Sequence, residues 1–118
     1  VVNVRFGELL QKDAPGWEKH LPAVEIEKCD QCSCPIVKVT VGKETPHPNT
    51  LEHYITCVQL LGVHKRNRQL SHIATFNFTP TISFPVVSVH VNIDEFSGIF
   101  VLVFCNIHGG WEEFVALE

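Results

Sequence analysis

The sequence predicts an all-β domain, a seven-stranded immunoglobulin-like antiparallel β-sandwich, and three observations predict it. Short runs from residue 24 onward alternate apolar and polar side chains at period two. No run longer than about ten residues shows the 3.6-residue period of an amphipathic helix. Pro46, Pro48, Pro80 and Pro85 punctuate the gaps, where a ring without an N–H ends a strand and has no place inside a helix.

The strands follow in order. Val24–Ile26 is a short first strand, and Ile36–Val41 places Val37, Val39 and Val41 on one face. Tyr54–Val63 is a longer, mostly apolar run. His72–Phe78 comes next, then Val86–Ile93, where Val87, Val89, Val91 and Ile93 face one way and Ser88, His90 and Asn92 the other. Ile99–Cys105 is apolar on both faces, as a central strand would be, and Gly110–Leu117 resumes alternation. The first twenty residues carry no clear period; Phe6–Lys12 is consistent with a helical turn before Asp13-Ala14-Pro15-Gly16.

A chain of 118 residues with 45% hydrophobic content suffices for one domain, expected over 1–118, with a hydrophobic core. No stretch reaches the roughly 18 apolar residues of a membrane helix, and the N-terminus shows no signal pattern, so a soluble cytoplasmic protein is expected. The chain starts at Val1 and has no methionine, so an initiator residue is expected outside this numbering. A net charge of -4 argues against nucleic acid as a bulk partner. The one basic cluster, His64-Lys65-Arg66-Asn67-Arg68, is expected to be a solvated hairpin loop.

Five cysteines cannot all pair within one chain, and seven histidines are many for this length. Both counts give weight to metal binding or catalysis. Three segments concentrate histidine at strand ends: Trp17-Glu18-Lys19-His20-Leu21-Pro22, then His47-Pro48-Asn49 with Glu52-His53-Tyr54, then Cys105-Asn106-Ile107-His108. Loops of a sandwich gather at its two ends, so distant segments can converge on one ion. Imidazole suits zinc, copper and iron, and a thiolate adds a soft, electron-rich donor. Prolines on both sides of His47 stiffen its loop. Four histidines and one cysteine exceed the four donors of a structural zinc site, which points to a redox or substrate-binding metal with an open position.

Read together, the E-K-H-x-P segment (Glu18, Lys19, His20, Pro22), the H-P-N…E-H-Y segment (His47, Pro48, Asn49, Glu52, His53, Tyr54) and the C-N-x-H-G segment (Cys105, Asn106, His108, Gly109) resemble superoxide reductases of the one-iron, neelaredoxin-like form. The resemblance spans nearly the whole chain. It implies one iron per chain, held by the imidazoles of His20, His47, His53 and His108 in a plane with the Cys105 thiolate on the axis. It implies one-electron reduction of superoxide to hydrogen peroxide, with electrons from a rubredoxin-like or other small donor, in a homotetramer or a dimer. Glu18 matches the carboxylate that binds the oxidised iron in that family, and Lys19 the cation that draws in superoxide.

Rival readings stay open at this level. Cys105 alone would read as a buried small hydrophobe. A cysteine–histidine hydrolase lacks any elbow pattern around Cys105. A blue-copper electron-transfer protein also uses cysteine and histidine at a strand end, but its usual axial methionine is missing and two histidine segments would go unused. A zinc-stabilised interaction module is the non-enzymatic alternative. Cys29, Cys32 and Cys34 (C-D-Q-C-S-C) admit a second metal, a disulfide or ordinary loop thiols, and Cys57 a fourth sulfur or a buried thiol. The chain begins too late to contain the rubredoxin-like domain of two-iron relatives, so no second iron is inferred. His64, His72 and His90 have no place in the pattern. Trp17 and Trp111 are expected to pack in the core beside the ligand segments and shield the metal, and Asn49 and Asn106 to hydrogen-bond loop backbone or groups next to the ligands, which orients the ligating rings.

Overall fold

A computed structural model describes residues 3–31 and 33–118. Seven strands run β1 Pro22–Glu27, β2 Ile36–Val41, β3 Ile55–His64, β4 Leu70–Asn77, β5 Val86–His90, β6 Phe96–Cys105 and β7 Gly109–Ala116. They form two antiparallel sheets, β1-β2-β5 and β4-β3-β6-β7, so the expected sandwich is the observed one. The period-two patterns give the reason. Val37, Val39 and Val41 of β2 are buried while Lys38 and Thr40 between them are not, and Val87 and Val89 of β5 lie inward of exposed Ser88 and His90.

The two-faced apolar run is indeed central: β6 pairs with β3 on one side and β7 on the other. Val37, Val39, Val58, Leu60, Ile99, Val101, Val103 and Trp111 are all at most 1% exposed. Burial of each aliphatic side chain contributes about 1.5–3 kcal/mol, so this slab is a rigid base for the loops at its ends. The basic cluster sits in the β3–β4 hairpin, as expected.

Only β2 has the bounds expected from the sequence; β1, β3, β4, β6 and β7 move at one or both ends by one to three residues, and in β5 and the N-terminal turns the kind of structure changes. β5 stops at His90: Val91 N–H still donates in register to the Pro35 carbonyl, but Pro35 has no N–H to return, the Val91 carbonyl accepts Ile93 N–H, and Ile93–Glu95 forms a 3-10 turn. The N-terminal helical turn narrows to a 3-10 turn at Phe6–Glu8, and a second helical turn, α1, spans Trp17–His20.

Candidate metal centre

Each histidine segment is delivered to one end of the sandwich by a local device. Gly16 has φ 92, a left-handed conformation open to glycine, and turns the chain into α1. The Gly16 carbonyl then accepts His20 Nδ1–H at 2.7 Å. His20 is 3% exposed and stacks on Trp111, with centroids 4.5 Å apart and planes 5° from parallel. After β2 the chain reverses at Gly42, φ 77, where an added Cβ would lie 2.6 Å from the His47 backbone nitrogen. His47 Nδ1–H donates to the Pro48 carbonyl at 2.7 Å. His53 closes a turn in which its N–H meets Thr50 Oγ1 at 3.0 Å, and its Nε2 is buried without a hydrogen-bond partner. Cys105 ends β6, 5% exposed, and its Sγ accepts the His108 backbone N–H at 3.4 Å.

The four rings close a quadrilateral. Centroid separations around it are 4.8 Å for His20–His47, 4.7 Å for His47–His53, 4.9 Å for His53–His108 and 5.1 Å for His108–His20. Each adjacent pair is edge-to-face, at 68° to 80°. Donor atoms of His20, His47, His53 and Cys105 all lie within 4.8 Å of one another. His108 falls outside that tight group of four, but its Nδ1 is 3.8 Å from Cys105 Sγ.

The dimensions fit a central metal ion. A square with sides of about 4.9 Å has corners about 3.5 Å from its centre. Metal–imidazole bonds of about 2.0–2.1 Å, with the ring centroid roughly 1.1 Å further out, require about 3.2 Å.

Protonation points the same way. The carbonyls of Gly16 and Pro48 can only accept, so the Nδ1 atoms of His20 and His47 must donate. Burial then holds both rings below the ordinary imidazole range, His47 down to about 4, with the other site histidines adding repulsion. Their Nε2 atoms, 3.2 Å apart, therefore carry lone pairs and no proton near neutral pH. A cation shared between them turns that repulsion into attraction.

Comparison with known proteins places this arrangement. Residues 12–114 match the family model described as Desulfoferrodoxin. This chain belongs to the desulfoferrodoxin family. It is 36% identical to the superoxide reductase of Thermococcus kodakarensis over 105 residues, covering 86% of this chain and 89% of that protein. A crystal structure of a superoxide reductase in the oxidised state superposes with a TM-score of 0.82 at 31% identity, covering 97% of this chain and 100% of that one. A one-iron superoxide reductase from Giardia intestinalis superposes with a TM-score of 0.73 at 28% identity, covering 84% of this chain and 98% of that one.

Within this desulfoferrodoxin fold the remaining expected residues separate. Lys19 is exposed, and its charge helps to lower the pKa of both His20 and His53, so its field reaches the site. Glu18 is not among the clustered donors; it lines a separate cavity with Trp17, Leu21, Lys43 and Thr45. His64 bonds Ser71 Oγ and His72 bonds Thr75 Oγ1, both at 2.7 Å, so neither joins the centre. Cys57 is a half-buried thiol on β3, and Cys29 is disulfide-bonded. Cys32 lies outside the described residues, so the reading of that motif as a whole does too.

One contributor to the site had no sequence signal. The Gln11 side chain donates to the His108 carbonyl, while its backbone pairs with Gly110 and Glu112. It thereby clips the N-terminal segment beside the His108 turn.

Proposed function

We propose that this chain reduces superoxide by one electron to hydrogen peroxide at an iron held by His20, His47, His53, His108 and Cys105. The observation that carries the reading is the closed square of imidazoles, in which the unprotonated Nε2 atoms of His20 and His47 face each other at 3.2 Å. Superoxide, one electron and two protons balance to hydrogen peroxide. Bound iron supplies that electron through its ferrous–ferric couple.

The protein's own residues supply the rest. Four neutral imidazoles leave the positive charge of the centre uncompensated, which favours an anionic substrate. The Cys105 thiolate returns electron density, moderated by the His108 N–H on its sulfur. Lys19 adds a cation at the rim, attracts superoxide and supplies a proton to the departing peroxide, directly or through water. Glu18, two residues before His20 on the same turn, would supply a carboxylate to the oxidised centre.

Resemblance to the family carries four further parts of this reading: residues 1–118 acting as one domain with one iron, a rubredoxin-like electron donor, a homotetramer and a cytoplasmic setting. No helix among the described residues is long and apolar enough to cross a membrane. A blue-copper site takes two histidines and a cysteine, and the fourfold ring of imidazoles here exceeds that set. Metal analysis with electron paramagnetic resonance tests the assignment. Iron at one atom per chain with a thiolate-to-ferric absorption supports it; copper or zinc in that amount rejects it.

A further inference from the structure

We propose that Asn106 is a positioning residue that fixes His53 against the Cys105–His108 turn. The inference rests on the reading of His53 and Cys105 as ligands of one iron. Its basis is the way a single side chain grips both sides of His53. Asn106 Oδ1 accepts the Tyr54 N–H at 2.9 Å, and Asn106 Nδ2–H donates to the Glu52 carbonyl at 2.9 Å. Those two groups flank His53 in the chain. The backbone N–H of Asn106 adds a third bond, to the Tyr54 carbonyl at 3.2 Å.

The chemistry explains why asparagine serves here. The grip needs one acceptor and one donor in a fixed plane, on a short stem. Aspartate has no donor, serine and threonine offer a single oxygen, and glutamine reaches a carbon further. Asn106 follows Cys105 directly and precedes His108 by two residues. Movement of this amide therefore shifts His53 relative to the thiolate, and the bonds that hold ligating groups in orientation govern metal retention.

Asn67 is a natural control. It sits in the β3–β4 hairpin, where its Oδ1 accepts the Gln69 N–H at 3.0 Å and its Nδ2–H donates to Gln69 Oε1 at 3.3 Å. Neither bond adjoins a proposed ligand.

The test compares iron-loaded wild type, Asn106→Ala, Asn106→Asp and Asn67→Ala by the thiolate-to-ferric absorption band and by iron release to a colorimetric chelator. Asn106→Ala is expected to shift the band and speed release by about 10–100-fold. Asn106→Asp keeps an acceptor for Tyr54 N–H but sets an oxygen against the Glu52 carbonyl, so it moves both readouts the same way and guards against misfolding of the alanine variant. Asn67→Ala keeps the wild-type band. Wild-type behaviour of both Asn106 variants overturns the assignment, as do equal changes in Asn67→Ala, which would reduce the effect to general stability. A wild-type chain without iron or without the band instead removes the ligand reading, and this inference with it.

Discussion

The Nε2 atoms of His20 and His47 face each other at 3.2 Å, each left with a lone pair because its Nδ1–H is given to a backbone carbonyl. Two acceptors at that distance repel, so the metal-free protein stores a local conflict that a cation resolves. Metal loading should therefore stabilise the fold. At a hundredfold excess over the dissociation constant, binding to the native state alone contributes about 2.7 kcal/mol. Denaturant unfolding with and without iron checks this, and His47→Ala is expected to abolish the gain. Equal stability of the loaded and metal-free wild type would contradict it.

The metal-free protein should also lose stability in mild acid. His47 ionises near 4 in the folded chain against an ordinary 6.5, and His20 and His53 are lowered too, in each case chiefly by burial. Between those values the unfolded chain binds more protons than the folded one, so stability falls as pH drops. It should stand on a plateau above about 6.5 and decline towards about 4. Urea midpoints measured from pH 7.5 to 4.5 on metal-free wild type and His47→Ala test this, with a shallower decline expected in the variant.

Gly42→Ala should damage both fold and centre. At φ 77 any side chain is strained, and this one would press on the His47 backbone nitrogen at 2.6 Å. A loss of about 1–3 kcal/mol is expected for the backbone alone. Because the displaced atom belongs to His47, iron retention should fall with it, measured as release to a chelator beside an unfolding curve.

Lys19→Ala should slow the encounter with superoxide. Its charge is felt at His20 and His53, on a chain whose net charge of -4 otherwise repels an anion. A fall in the second-order rate of up to about tenfold is expected, with a flatter dependence on ionic strength, and Lys19→Arg should restore most of it. Pulse radiolysis at two salt concentrations separates steering from chemistry.

Local periodicity made the sandwich legible. Val37-Val39-Val41 and Val87-Val89 alternate because one face is buried, and the doubly apolar Ile99–Cys105 run announces a strand flanked on both sides. The end of β5 was not legible: Val91 and Ile93 continue the alternation, but the residue opposite Val91 is Pro35, which has no N–H to complete the pair, and the Val91 carbonyl accepts Ile93 N–H instead. Nor was α1, since one turn is too short to show a period; Gly16 before it was the available sign. Of the site, the three histidine segments and Cys105 stood out through residue type and place. Trp111 packs beside the ligand segments as expected, whereas Trp17 is 51% exposed and does not bury itself there. That His20 is the ring stacked on Trp111, and that Gln11 clips to His108, 97 residues away, was not legible, because contacts between distant segments leave no local trace.

One-electron reduction of superoxide at this centre is decided by product stoichiometry. Iron-loaded protein, reduced beforehand, is mixed rapidly with superoxide while peroxide and dioxygen are both followed. One peroxide is expected for each ferrous centre oxidised, with no dioxygen released. Dioxygen appearing in step with peroxide, the mark of dismutation, would contradict it.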